Sequence, residues 1–528
     1  MRDFHLPGRS AVFAENGMCA TSHPLVAQVA LDMLKRGGNA MDAAIAAAAL
    51  LGLCEPAMAG LGGDCFVLFS PAESDAVLGV NGSGRAPAAI DEAGLLRAQG
   101  HATLPLGSVH AITMPGAVDA ICCLSQRWGK LGLAAVLAPA IDYAEKGVPV
   151  APRVHFDWQL RADRLQGAAR RFFLAHGEAV PAVGARFRAP QQAEVLRRIA
   201  RQGREGFYSG EVAEDIVNTL RALGGTHRQE DLAAVRCEQS HPVSSRYRGA
   251  IEVWEHPPNS QGITALLLLN ILSCFDMKPL VPFGLRRLHI EAEATKLAMA
   301  MRDRLVAEPD MGAGWQQMLD PKCAAALAAQ IQPDRVLPPP AAPQGVPHSD
   351  TAFLTVVDRD RMAVSWIQSL YYGFGSGIAS EKFGILLHNR GCGFSLRRGH
   401  PNAIGGAKRP MHTIIPAMAR QNGRVSMAFG VMGGPYQPTG HARLLSNLCD
   451  YGMDLQAALD APRSFADAGC LHLERGHDAA VMAGLRDLGH RVVVPEVPLG
   501  GAQAIQIMES GVLVGASDAR KDGQACGY

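Results

Sequence analysis

The pair Asp350-Thr351 is the place in this 528-residue chain best suited to covalent chemistry. A proline-rich run from Pro338 to Pro347 leads up to it, and the β-branched alternation Leu354-Thr355-Val356-Val357 follows at once. Proline cannot donate to a sheet ladder, whereas the run after Thr351 reads as a strand, so Thr351 stands at a strand's mouth. A cut before Thr351 would free an α-amino group titrating near ~7.7–8. That amine could serve as base for the hydroxyl of its own residue. The same spacing also suits a threonine in an ordinary strand. Two further patterns offer chemistry. Gly433-Gly434 closes the strand-like run Ser426 to Gly430, and paired glycines let backbone N–H groups converge on a ligand. Such donors, aimed at a developing oxyanion, contribute ~2.7–4 kcal/mol each; a plain turn is the other reading. Ser369 ends the alternating run Val364 to Ile367, and on spacing alone it is a turn serine.

These residues need strands backed by helices, and the pattern supplies them. Val26, Val29 and Met33 recur at helical steps after Ser22-His23-Pro24, and Gly37-Gly38 stops them. Met41 to Leu53 is an alanine-rich helix, too short for a membrane span and carrying Asp42. The glycine turn Gly60 to Asp64 runs into a buried strand, Cys65 to Phe69, and Val77 to Val80 is another. A phosphate cradle is excluded there, since a strand follows the glycines instead of a helix. Helices are expected over Leu133 to Lys146, Ile263 to Leu272 and Leu288 to Leu305, with a strand over Ala250 to Glu255. From about residue 152 to 231 the chain is charged and helical, which suggests a solvated lobe, with an acidic partner as the alternative.

Composition narrows the classes. Fifty basic residues against 49 acidic ones leave a net charge of +1, so no nucleic-acid footprint is present. The twelve cysteines show no C-x-x-C pair, which suits free thiols in a reducing compartment. The start, Met1 to Gly8, lacks the apolar core of a signal peptide. Together these point to a cytoplasmic protein without a membrane partner. His348, His388, His400, His412 and His441 show no H-x-x-x-H spacing, so neither a metal nor a cofactor is called for.

A set of ordered motifs resembles the γ-glutamyltransferase family. It comprises Gly37 to Ala44, Gly60 to Asp64, Asp350-Thr351 with Thr355 to Asp358, Phe374 to Gly377, Gly384 to Leu387, Lys408-Arg409-Pro410, Met432-Gly433-Gly434, Gly515 to Arg520 and Gly527-Tyr528. The resemblance implies a proenzyme that cleaves itself between Asp350 and Thr351 and folds as an N-terminal-nucleophile αββα sandwich, an α/β class built from both fragments. Residues 1–350, including the linker 338–350, become a large subunit and 351–528 a small catalytic one. The two form a heterodimer, with a dimer of heterodimers left open. It also implies roles: Thr351 as nucleophile, Ser369 holding its amine where relatives usually carry threonine, and Gly433 with Gly434 as oxyanion hole.

Departures from the family pattern bear on the substrate. The arginine that binds a γ-glutamyl α-carboxylate falls at Ser83, with Arg85 two residues on, and the acidic pair that captures the α-amino group falls at Cys392 and Gly393. The serine pair after Arg-Pro is His412-Thr413. A zwitterionic head thus loses both partners, and an uncompensated buried ammonium costs several kcal/mol. A small anionic amide fits better, with Arg85 or Arg390 pairing its carboxylate and His412 and Thr413 lining the pocket; each arginine also suits a structural ion pair. Ser369 to Gly377 and Gly433 to Pro438 resemble the family's oxamate amidohydrolase branch, which implies hydrolysis of oxamate to oxalate and ammonia late in purine-ureide breakdown. The alternatives are a glutathione hydrolase or γ-glutamyltransferase with other contacts, and an uncleaved, inactive binding homologue.

Overall fold

A computed structural model describes residues 5, 8–98, 100, 103–309, 314–338 and 351–528. Asp350, His348 and all of the proline-rich linker beyond Pro338 lie outside the described residues, as does the start 1–4.

Two seven-stranded sheets, each paired antiparallel throughout, form the centre. The Thr351 strand, Ala352–Val357, lies in the middle of one sheet. On one side it pairs with Ala363–Ser369, in the register Ala352 with Gln368, and on the other with Met18–Thr21. Ala363–Ser369 pairs in turn with Asp64–Ser70, and that register sets Ser369 opposite Asp64. The second sheet has Arg424–Met432 at its centre, between Ala417–Gln421 and Gly501–Ile507. Strands from both sides of Thr351 are interleaved in each sheet, so neither length of chain builds a sheet alone.

Helices cover both outer faces, giving the αββα order. The helix Ala40–Cys54 is apolar all round because it is buried all round. Asn39 and Asp42 form a capping box at its start, and the Ala40 N–H donates to Asp358 Oδ2 at 2.8 Å from the far side of Thr351. Gly262–Leu272, Leu285–Leu305 and Gln437–Cys449 back the other sheet. The charged segment is helical, as its composition implies. Its Trp158, Phe173, Leu196 and Ile216 join the same core as the helix Ala40–Cys54, while Arg171 and Arg198 pair with Glu381 and Glu211 at the surface. It is therefore seated on the body by its apolar face. No described helix is long and apolar enough to cross a membrane.

Candidate active site

Thr351, Ser369, Asp64, Thr413 and Gly433 share one apolar floor. Phe353, Ile367, Phe66, Ile414 and Met432 pack into a single buried cluster between the sheets. Phe353, Ile367 and Phe66 stand two positions from Thr351, Ser369 and Asp64 and so share their face of the sheet, while the register sets Ala352 opposite Gln368 and Ser369 opposite Asp64 and so brings the polar residues to one end. Gly430 makes this packing possible: a Cβ there would stand 2.4 Å from the Phe353 ring. Gly433 has φ +120° and Gly434 φ +57°, a left-handed path suited to glycine, and a Cβ on Gly433 would press on Gly500.

Hydrogen bonds tie the floor's rim together. Thr351 and Ser369 are fully buried. Gln437 Nε2 donates to Thr351 Oγ1 at 3.4 Å, and Gln437 Oε1 accepts the Ile415 N–H at 2.8 Å. Ser369 Oγ accepts the Tyr371 N–H at 2.7 Å, shaping the turn that follows the strand. Gln261 Nε2 bridges the carbonyls of Thr413, at 2.6 Å, and Gly434, at 3.0 Å, while Arg302 donates to its other end at 2.9 Å. Val431, two residues ahead of the glycine pair, donates its N–H to His441 Nε2, and His441 Nδ1 donates to buried Glu255 at 2.7 Å.

Asp64 organises a neighbouring buried polar cluster. Its carboxylate accepts the N–H groups of Gly84 and Gly116 and, at 3.0 Å, His412 Nε2. Burial, with Arg390 adding to it, pushes His412 and His388 down to about 3. Both rings are neutral at neutral pH. With its proton on Nε2, His412 presents a lone pair on Nδ1, which has no hydrogen-bond partner.

Arg390 lies fully buried against the Tyr371 ring, 4.3 Å from its centroid. Its Nη1 donates to Thr413 Oγ1 at 3.0 Å, while Nε and Nη2 have no hydrogen-bond partner. Burial pulls its guanidinium down to about 10, still charged at neutral pH. Arg85 is placed differently: it is 40% exposed, paired with Glu308 and, at 3.3 Å, with Glu238. Ser83 is buried and bonded to Asn81 Oδ1 at 2.6 Å. Cys392 points its thiol at the Leu104 carbonyl, and burial pushes that thiol up to about 12.

The family described as gamma-glutamyltranspeptidase matches residues 26–528. The chain belongs to the γ-glutamyltranspeptidase family. The glutathione hydrolase-like YwrD proenzyme of Bacillus subtilis is 37% identical over 530 residues, covering 98% of this chain and 99% of its own length. The oxamate amidohydrolase proenzyme of Klebsiella pneumoniae is 36% identical over 537 residues, covering 98% and 100%. Among solved structures, the cephalosporin acylase from Bacillus halodurans superposes with a TM-score of 0.92 at 37% identity, covering 100% of this chain and 99% of the other. The fold is thus the N-terminal-nucleophile sandwich of the γ-glutamyltranspeptidase enzymes, in which a proenzyme is divided into two subunits.

Sequence reading did not single out Asp64, Gln261 or Gln437 as site residues. Asp64 had one signal, an acid opening an otherwise apolar strand, where a buried carboxylate needs donors. The two glutamines had none, because their partners are long-range.

Proposed function

We propose that this protein is a self-processing amidohydrolase that hydrolyses a small acid amide, with oxamate to oxalate and ammonia as its reaction. In maturation Thr351 Oγ attacks the Asp350 carbonyl carbon, the acyl group passes from nitrogen to oxygen and so frees the Thr351 amine, and water hydrolyses the ester to the Asp350 carboxylate and the Thr351 hydroxyl. In turnover that amine, oriented by Ser369, takes the Oγ proton as Oγ attacks the amide carbon. The N–H groups of Gly433 and Gly434 hold the oxyanion. The C–N bond breaks, ammonia leaves with the proton, and water hydrolyses the acyl-threonine to the second carboxylate.

One observation carries the substrate reading: the unpaired Nε/Nη2 edge of buried Arg390. This is the edge that grips a carboxylate bidentately; the Asp64 carboxylate acts on the guanidinium through space, and the open donors favour an anionic ligand. His412 Nδ1, an unpaired acceptor in the same cluster, suits an amide N–H. Thr413 links Arg390 to the rim that holds Thr351 and Gly434. Arg85, balanced by two glutamates, is the weaker carboxylate partner.

Glutathione hydrolysis is the second reading, favoured by the name of the Bacillus relative. Against it stand Ser83, Cys392 and Gly393, which give an α-amino acid head neither its cation nor its anion. Ammonia release from oxamate is measured beside glutamate release from glutathione on the purified protein. Oxamate turnover with slow glutathione turnover is expected; ready γ-glutamyl turnover would overturn the substrate. A denaturing gel is expected to show fragments beginning at residues 1 and 351, and a single intact band would favour a binding homologue instead. The heterodimer and a cytoplasmic location belong to this reading.

A further inference from the structure

His289 and Glu293 lie one turn apart on the helix Leu285–Leu305, and His490 faces them from beyond the helix Ala479–Asp487. All three are buried, and one donor atom from each lies within 4.8 Å of the other two. His289 Nε2 donates to the Gln332 carbonyl at 2.7 Å. A carbonyl only accepts, so the ring's proton sits on Nε2 and Nδ1 turns a lone pair toward His490 Nε2, 2.8 Å away. A backbone carbonyl fixing the far nitrogen of an imidazole is the usual support behind a metal-binding histidine. Glu293 Oε2 accepts the Leu337 N–H at 2.7 Å, which leaves Oε1 3.8 Å from His490 Nε2.

We propose that His289 Nδ1, Glu293 Oε1 and His490 Nε2 form a structural site for a divalent transition metal, zinc first among them. Two imidazoles and a carboxylate are a zinc donor set. Bonds of ~2.0–2.2 Å to a shared ion need the donors only slightly further apart than the two histidines stand now. On binding, the His490 proton moves from Nε2 to Nδ1, the His289–His490 hydrogen bond gives way to the ion, and the Lys296–Glu293 ion pair opens. Lys296 opposes the ion, since its ammonium sits 2.6 Å from Glu293 Oε1. It also lines, with His490 and Leu337, a cavity of about 690 Å³, which gives the ammonium room to turn away and the ion an access route and a water as fourth ligand. Gln332 and Leu337 belong to the last described stretch before Thr351, whereas His490 comes after it. The ion would therefore staple together the two lengths of chain that a cut before Thr351 separates. This holds whatever the substrate.

Tag-free protein is stripped with a chelator, dialysed against zinc chloride and examined by elemental analysis and thermal unfolding; a stripped sample is titrated with cobalt(II) chloride. One zinc per chain, a higher Tm with zinc, and tetrahedral cobalt absorption bands displaced by zinc are expected. Glu293→Gln and His490→Gln are expected to weaken zinc binding by more than the ~10–100-fold that losing an outer partner costs, and Lys296→Met to tighten it. A wild-type chain that retains no zinc and gives no cobalt bands overturns the proposal, as does unchanged affinity in both ligand variants. Should those variants fail to fold, Lys296→Met decides, because a purely hydrogen-bonded trio predicts no gain in zinc affinity.

Discussion

Arg85 and Arg390 carry the same guanidinium into opposite surroundings. Around Arg85 the charge is met by Glu308 and Glu238, with Arg409 also paired to Glu238 at 2.7 Å, and solvent reaches the group. Around Arg390 there are a hydroxyl, an aromatic face and two neutral imidazoles, and the Asp64 carboxylate, bonded to His412, acts on the guanidinium through space. The first region is finished as a protein surface. The second has guanidinium donors and an imidazole acceptor left over, which is uneconomical for folding and useful for binding. Two arginines of equal standing in the sequence thus separate once their neighbours are known.

The strongest break of this contrast is at the nucleophile Arg390 is proposed to serve. Thr351→Ala is expected to remain one uncut chain on a denaturing gel and to release no ammonia; a variant that still splits would mean that the cut lies elsewhere. Arg390→Ala comes next. Losing one partner of a buried ion pair costs ~3–5 kcal/mol, so kcat/KM for oxamate is expected to drop roughly 10²–10⁴-fold, with only a modest change in Tm because Asp64 keeps its bonds to His412, Gly84 and Gly116. A large loss of Tm with intact kinetics would make Arg390 structural.

The neutral imidazoles sharpen the contrast through acid. His256, His388 and His412 are each pushed down to about 3 by burial, so the unfolded chain binds protons below ~6.5 that the folded chain refuses. Stability is expected to fall as pH falls from ~6.5 toward 3, by up to ~1.4 kcal/mol per pH unit for each histidine; denaturant melts along that range are the check, and a flat profile would count against burial in the neutral form. The rate has a different titration. Hydrolysis needs the Thr351 amine unprotonated, so kcat/KM is expected to rise with pH to a plateau above ~8. A plateau already reached at pH 6 would point to another base.

Arg85→Ala is the smallest expected effect. A half-exposed pair contributes ~0–1 kcal/mol, and Glu308 keeps the Arg409 N–H at 3.1 Å. Oxamate kinetics within about threefold of wild type are expected, since less than ~0.7 kcal/mol separates such rates. A loss matching that of Arg390→Ala would reverse the assignment of the two arginines.

Much of the scaffold was legible from local pattern. The helices over Leu133–Lys146 and Leu285–Leu305 and the strands Asp64–Ser70 and Ala363–Ser369 follow from apolar periodicity and glycine or proline stops, which act within a few residues. Thr351, Ser369 and the glycine pair did not stand out in this way: on spacing alone they suit an ordinary strand and plain turns, and their proposed roles came from the family resemblance. The charged stretch 152–231 was legible as helix but not as a tenant of the main core, because a helix face does not name what it packs on.

What the sequence determined by itself is the kind of fold and the identity of the proposed nucleophile, both written in short-range order. Tertiary structure alone decided which arginine keeps open donors, that Asp64 meets His412 across 348 residues, and that His490 joins His289 and Glu293. Charge balance and hydrogen-bond satisfaction are properties of an environment, and in this protein the environment is assembled from strands far apart along the chain.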